Sequence, residues 1–147
     1  VALGLVEARE LSKSEIRDIV HEKLRLVDLS DAAKKDPSQL SGGMRKRVGL
    51  ARAIATSPEV VLYDEPTTGL DPVTADVIND LIVTLNQTLH ITSIAVTHDM
   101  HSAFRIADRV VMLDEGKIVF DGTIEQFEAS PIPIVSSFLR ASGLVTK

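Results

Sequence analysis

Val60-Val61-Leu62-Tyr63 and Ile91–Val96 are two short apolar runs, and the stretch between them carries apolar residues at helical spacing. The first run is continuously apolar and β-prone, as a strand buried on both faces requires. The second reads as another buried strand. In the connecting stretch, Asp71 stands as N-cap with Pro72 at the first helical position. Behind them Val77, Ile78, Leu81, Ile82 and Leu85 form one apolar stripe. Strands that alternate with helices dictate an α/β layer fold with a largely parallel sheet.

The flanking segments extend this pattern. Ser12 and Glu15 have the spacing of a capping box, in which each side chain satisfies a free backbone donor at the other. Ile16, Ile19, Val20, Lys23, Leu24 and Val27 follow at helical spacing, predicting an amphipathic helix over about 13–27. A polar stretch from Asp31 to Gln39 breaks it, and a second helical pattern runs from Leu40-Ser41-Gly42-Gly43 to about Thr56, where Ser57-Pro58 ends it. A short helix is expected over about 99–107. Val110–Leu113 and Ile118–Phe120 are predicted to pair as a hairpin around Asp114-Glu115-Gly116-Lys117. From Thr123 the tail reads as short helices punctuated by Pro131 and Pro133.

Several function classes drop out on composition. The 147 residues include no cysteine, which excludes disulfides and thiolate metal sites. The formal charge of −5 argues against a broad basic face for nucleic acid. No apolar run approaches the roughly 18 residues of a membrane span, and no secretory leader pattern is visible.

Four local patterns carry candidate chemistry. Leu40-Ser41-Gly42-Gly43-Met44 opens a helix, where two glycines permit close backbone approach and the free first-turn amides favour an anion. The bland alternative is a Ser N-cap with glycines in the turn. Arg45, Lys46 and Arg47 sit where cations oppose the helix dipole, which a bound phosphate would relieve, although they also fit a solvated face. Next, the run Val60–Tyr63 delivers Asp64 and Glu65 at its C-terminal end, where open α/β sheets place ligands. Asp64 is suited to the water shell of Mg²⁺, which takes few protein carboxylates alongside substrate phosphates. Glu65 is suited to polarise an attacking water. The alternative is two solvated acids capping a strand. Thr68-Gly69-Leu70-Asp71 follows, for which a turn and an N-cap suffice. Finally His98 ends the second strand run, placed to meet a γ-phosphate or the water beside Glu65, while a lone histidine is more often structural. His21, His90 and His101 lack such a context.

The order and spacing of these patterns resemble an ABC-transporter ATP-binding domain over about Val1 to Gly122. Residues 40–44 resemble the signature motif, 60–65 the Walker B strand with its glutamate, 69–71 the D-loop, and His98 the switch histidine. Two positions depart from the pattern: Met44 stands where Gln is frequent, and Gly49 lies inside the signature helix, where it costs about 1 kcal/mol relative to Ala. Close packing of another backbone is the expected reason for Gly49. The resemblance implies a partial P-loop NTPase fold, with a helical subdomain over 1–57, an ATPase core over 58–122 and a helical tail over 123–147. It further implies that Ser41, Gly42 and Gly43 contact ATP held by an opposite subunit. Asp64 would serve Mg²⁺ through water, Glu65 the attacking water, Asp71 the crosstalk between subunits and His98 the γ-phosphate.

No Gly-x-x-x-x-Gly-Lys-Ser/Thr occurs in the chain, so the loop that normally cradles phosphates is missing. The glutamine loop is missing too, and by the resemblance it lies just upstream of Val1. The expectation is a portion of an energy-coupling ATPase subunit, inactive alone, whose parent binds ATP and Mg²⁺. That parent is expected to form a homodimer and to dock on transmembrane permease subunits at the cytoplasmic face of the membrane. The likeness is nearest to lipid-trafficking and solvent-tolerance importers, with Met44-Arg45-Lys46-Arg47 as the marker. Two alternatives stay open: a soluble ATPase of DNA repair or translation, and a non-catalytic interaction fragment. Without the strand that bears the phosphate loop, residues 91–97 are expected to present an unpaired edge, a route to self-association.

Overall fold

The computed structural model describes residues 1–7 and 11–144, which form two compact units divided after Val96. The first unit begins with a short helix, α1 (Leu3–Glu7). Helix α2 (Lys13–Leu26) starts at the expected capping box: the Ser12 amide donates to Glu15 Oε2 at 2.8 Å and the Glu15 amide to Ser12 Oγ at 3.3 Å. Two single 3₁₀ turns, Ser30–Ala32 and Pro37–Gln39, lead to α3 (Gly42–Ala53). Strand β1 (Val60–Asp64), helix α4 (Pro72–Leu89) and strand β2 (Thr92–Val96) complete the unit as a β-α-β succession. Asp71 caps α4 with Pro72 behind it, as the sequence dictates, and His90 closes α4 in the left-handed conformation at φ 53°.

The strands β1 and β2 pair in parallel, with Val60 opposite Thr92 and Asp64 opposite Val96. Leu24, Val27, Leu50, Ile54, Val61, Tyr63, Ile78, Ile82 and Leu85 are the buried apolar residues on which this unit rests. The expectation of strands buried on both faces is corrected here. Val61 and Tyr63 are buried, whereas Val60, Leu62, Ile94 and Val96 are 51%, 72%, 55% and 62% exposed. A parallel sheet buries both faces only when helices cover both, and among the described residues of this unit one face has no cover.

The second unit joins α5 (Met100–Ile106), the hairpin β3 (Val110–Asp114) and β4 (Lys117–Gly122), α6 (Ile124–Glu128) and α7 (Pro133–Ala141). The hairpin turns through Glu115 (φ 46°) and Gly116 (φ 75°), both in the left-handed region that a tight two-residue loop demands. A register shift between Met112 and Leu113 passes over Val119. Met100, Phe127, Val135 and Leu139 form the core, with Phe104 and Phe120 packed against it. Phe127 takes both of those rings edge-on, at centroid distances of 6.3 and 5.0 Å.

Candidate functional site

Strand β1 delivers Asp64, which is exposed, and then Glu65, half-buried in a left-handed backbone at φ 46°. For a glutamate that conformation costs on the order of 1–3 kcal/mol and persists only where the surroundings impose it. Three partners impose it. The Glu65 amide donates to the Val96 carbonyl at 2.9 Å, extending the β1–β2 ladder by one residue. Lys46 Nζ donates to the Glu65 carbonyl at 2.8 Å. The Thr68 hydroxyl donates to Glu65 Oε2 at 2.8 Å, while the Thr68 amide makes a longer bond of 3.4 Å to the Glu65 carbonyl. A hydrogen bond from a charged donor contributes about 1.5–3 kcal/mol, enough to offset the backbone strain.

Ser41 is the N-cap of α3: its Oγ accepts from the Met44 amide at 3.2 Å. Gly42 and Gly43 are the first helical residues, and among the described residues their amides find no acceptor, as the opening turn of a helix leaves them. Gly43 has a structural duty as well. A Cβ there would lie 2.6 Å from Thr74 Cγ2, so the glycine lets α3 approach the start of α4.

Arg45, Lys46 and Arg47 of α3 each donate to backbone carbonyls, Arg45 while exposed. Arg45 Nη1 donates to the Leu40 carbonyl at 2.6 Å. Arg47 Nη1 reaches the Val27 and Asp28 carbonyls, each at 3.4 Å, at the C-terminal end of α2, where a cation complements the helix dipole. Lys46 holds Glu65. The expected reason for Gly49 is corrected: among the described residues an added Cβ would meet nothing within 4 Å, so no close backbone of this chain accounts for it. Gly49 instead lines an open cleft of about 310 Å³, where Gly42, Arg45 and Lys46 of α3 face Thr68, Gly69 and Leu70.

Asp71 closes this turn. Its Oδ1 accepts from the Thr74 amide at 3.0 Å and its Oδ2 from the Thr74 hydroxyl at 2.6 Å, and these bonds hold its carboxyl below the usual aspartate range. The first unit thus brings Ser41, Gly42, Gly43, Asp64, Glu65 and Asp71 onto neighbouring turns. His98 is exposed on the bend before α5 and belongs to the second unit. Asp99, not His98, caps that helix, accepting from the His101 amide at 3.1 Å.

The donor set suits the groups the chemistry calls for. Among the described residues no cluster of three or more His, Asp or Glu could hold a metal. Asp64, exposed at the end of β1, offers a single carboxylate, a donor compatible with an ion such as Mg²⁺ that takes most of its ligands from phosphates and water. The free amides at the start of the 12-residue helix α3 fit an anion such as a nucleotide phosphate. Sequence reasoning missed Thr68 and Lys46 as partners of Glu65. The three-residue spacing from Glu65 to Thr68 within a turn was the one available signal.

Comparison with known proteins bears on the family of the chain. Residues 4–68 match a protein family described as ABC transporter. The chain is 46% identical over 131 residues to the Methionine import ATP-binding protein MetN 1 of Pseudomonas putida, across 89% of this chain and 39% of that protein. It is 44% identical over 143 residues to the Intermembrane phospholipid transport system ATP-binding protein MlaF of Haemophilus influenzae, across 97% of this chain and 54% of that one. The ATP-binding cassette MJ0796, solved as a dimer in a post-hydrolysis state bound to ADP and Pi, matches with a TM-score of 0.72 at 34% identity. That match covers 84% of this chain and 54% of the solved one. The chain spans between 39% and 54% of the length of these relatives.

Proposed function

This chain belongs to the ATP-binding domains of ABC transporters, and on that premise we propose that it supplies the signature and hydrolytic segments of a transporter's ATPase subunit. The observation that carries the proposal is Glu65. A glutamate at the C-terminal end of a parallel strand, held in a costly backbone state from three sides, is a group fixed for chemistry. In this reading Glu65 orients and polarises the water that attacks the γ-phosphate, and Asp64 holds Mg²⁺ through water. Ser41, Gly42 and Gly43 offer the start of α3 to ATP bound by a second copy. Asp71 relays between the two subunits, and His98 meets the γ-phosphate.

The division of labour follows from the motifs. Residues 1–57 present the signature, 58–122 carry the hydrolytic groups, and 123–147 form the tail. The phosphate cradle comes from sequence this chain does not contain. Titrating Mg·ATP into the chain to millimolar concentration, with turnover assayed in parallel, is expected to give neither binding nor hydrolysis. Binding with hydrolysis would show another phosphate cradle within these residues and overturn the assignment.

Among the described residues no helix is long and apolar enough to cross a membrane. We assign the parent subunit to the cytoplasmic face of the membrane, docked on separate permease subunits, from its likeness to the ATP-binding proteins of import and transport systems. The relatives named above serve methionine import and phospholipid transport. A lipid cargo is proposed from the likeness to the phospholipid-transport relative, which matches 97% of this chain, a share that a methionine-import relative from Pseudomonas fluorescens also reaches.

Strand β2 has β1 as its one ladder partner among the described residues, and its apolar Ile94 and Val96 are exposed. An open edge of that kind recruits another strand. The isolated chain is expected to self-associate through residues 91–97, and a monodisperse monomer at micromolar concentration in light scattering would refute this.

A further inference from the structure

Lys46 has no task in the mechanism above, yet its side chain closes a contact across 19 positions of sequence. Arg45 and Arg47, its neighbours in α3, spend their guanidinium groups on the carbonyls of Leu40, Val27 and Asp28, which end structural segments. The acceptor of Lys46 is the carbonyl of Glu65.

That carbonyl is one of three groups of Glu65 held by hydrogen bonds. The amide is fixed by Val96, and the carboxylate by the Thr68 hydroxyl at 2.8 Å. The carbonyl has, besides Lys46, the 3.4 Å bond from the Thr68 amide. In a left-handed residue the orientation of the following peptide decides whether the conformation survives or relaxes to the extended region that glutamate prefers. Lys46 is half-buried, so its bond meets less competition from water than a surface contact would. Lys46 also stands on the helix that Ser41 caps, one turn beyond Gly42 and Gly43. A shift of α3 therefore moves the ammonium that sets the Glu65 peptide.

We infer that Lys46 is a positioning residue, fixing the left-handed backbone of Glu65 and so tying the aim of its carboxylate to the placement of the signature helix. The inference rests on the reading of Glu65 as the residue that orients water. An occupied signature helix holds Lys46, and through it Glu65, in the hydrolytic arrangement. A displaced helix releases it.

The test has two arms. In this chain, the strong intraresidue HN–Hα Overhauser contact that a positive φ produces is followed at Glu65 by nuclear magnetic resonance. It is expected to weaken in Lys46→Met and to persist in Lys46→Arg, which keeps a charged donor. Should Lys46→Met fail to fold, Lys46→Gln gives the same reading with a neutral, shorter side chain. In a subunit that joins this chain to a phosphate loop, Lys46→Met is expected to lower kcat by about 10- to 100-fold, the scale of a misplaced reacting group. KM for ATP should stay near its original value, and Lys46→Arg should restore most of kcat. An unchanged Overhauser contact at Glu65 in Lys46→Met, or a fall in kcat that Lys46→Arg does not rescue, would overturn the inference. Failure of the underlying reading looks different: Glu65→Gln would then leave turnover intact, whatever Lys46 does to the backbone.

Discussion

Replacing Glu65 by Gln lowers ATP turnover by about 10²–10⁴-fold in a subunit that joins this chain to a phosphate loop, the usual weight of a positioned acid–base group. The substitution is selective because of how Glu65 is held. Its amide bond to Val96 and its carbonyl bond from Lys46 involve backbone atoms that glutamine also has. The side-chain oxygen that accepts from Thr68 is likewise kept, since an amide carbonyl accepts from a hydroxyl as a carboxylate does. What is lost is the negative charge that polarises water. ATP binding should therefore survive, because the groups assigned to the phosphates are the phosphate loop, His98 and, from the second copy, Ser41, Gly42 and Gly43. Nucleotide affinity and turnover measured on the same preparation separate the two effects. Full turnover in the variant would remove Glu65 from the mechanism, and loss of binding alongside turnover would give it a part in nucleotide capture.

Phe127→Ala is expected to destabilise the second unit by about 3–5 kcal/mol, the range for deleting a buried aromatic ring. Phe127 is 1% exposed and lies at the centre of the cluster formed with Met100, Val135 and Leu139. Its ring takes Phe120 and Phe104 edge-on, so truncation removes two aromatic contacts as well as apolar burial. The chain has no tryptophan, and its single tyrosine, Tyr63, lies in the first unit. Tyrosine fluorescence therefore reports the wrong unit. Hydrogen exchange along the β3–β4 ladder is the appropriate measurement, and protection there should fall by about 10²–10⁴-fold. A loss below about 1 kcal/mol would show that Phe104 and Phe120 collapse into the space.

The contrast between legible and illegible features follows the reach of the interactions. The Ser12–Glu15 capping box, the Asp71-Pro72 start of α4 and the left-handed turn at Glu115-Gly116 each close within about four residues. Residue type and spacing specify such features without help from the rest of the chain. The placement of Asp64 and Glu65 at a strand end was legible for the same reason, since an apolar β-prone run terminates in two acids.

What the sequence by itself determined, then, was the succession of elements from α2 onward apart from the two 3₁₀ turns, their caps and turns, and the identity of the acids at the end of β1. Only the tertiary structure decided how those elements serve the site. It showed that Lys46 grips a carbonyl 19 residues away, and that Gly43 is required by Thr74 of a later helix. It also showed that Gly49 faces open space, and that Val60, Leu62, Ile94 and Val96 lie on an uncovered face. Each depends on which atoms lie across a gap from a residue. Local propensity fixes backbone conformation over a few residues, whereas contacts between distant segments are set by packing, and no spacing within a single segment encodes them.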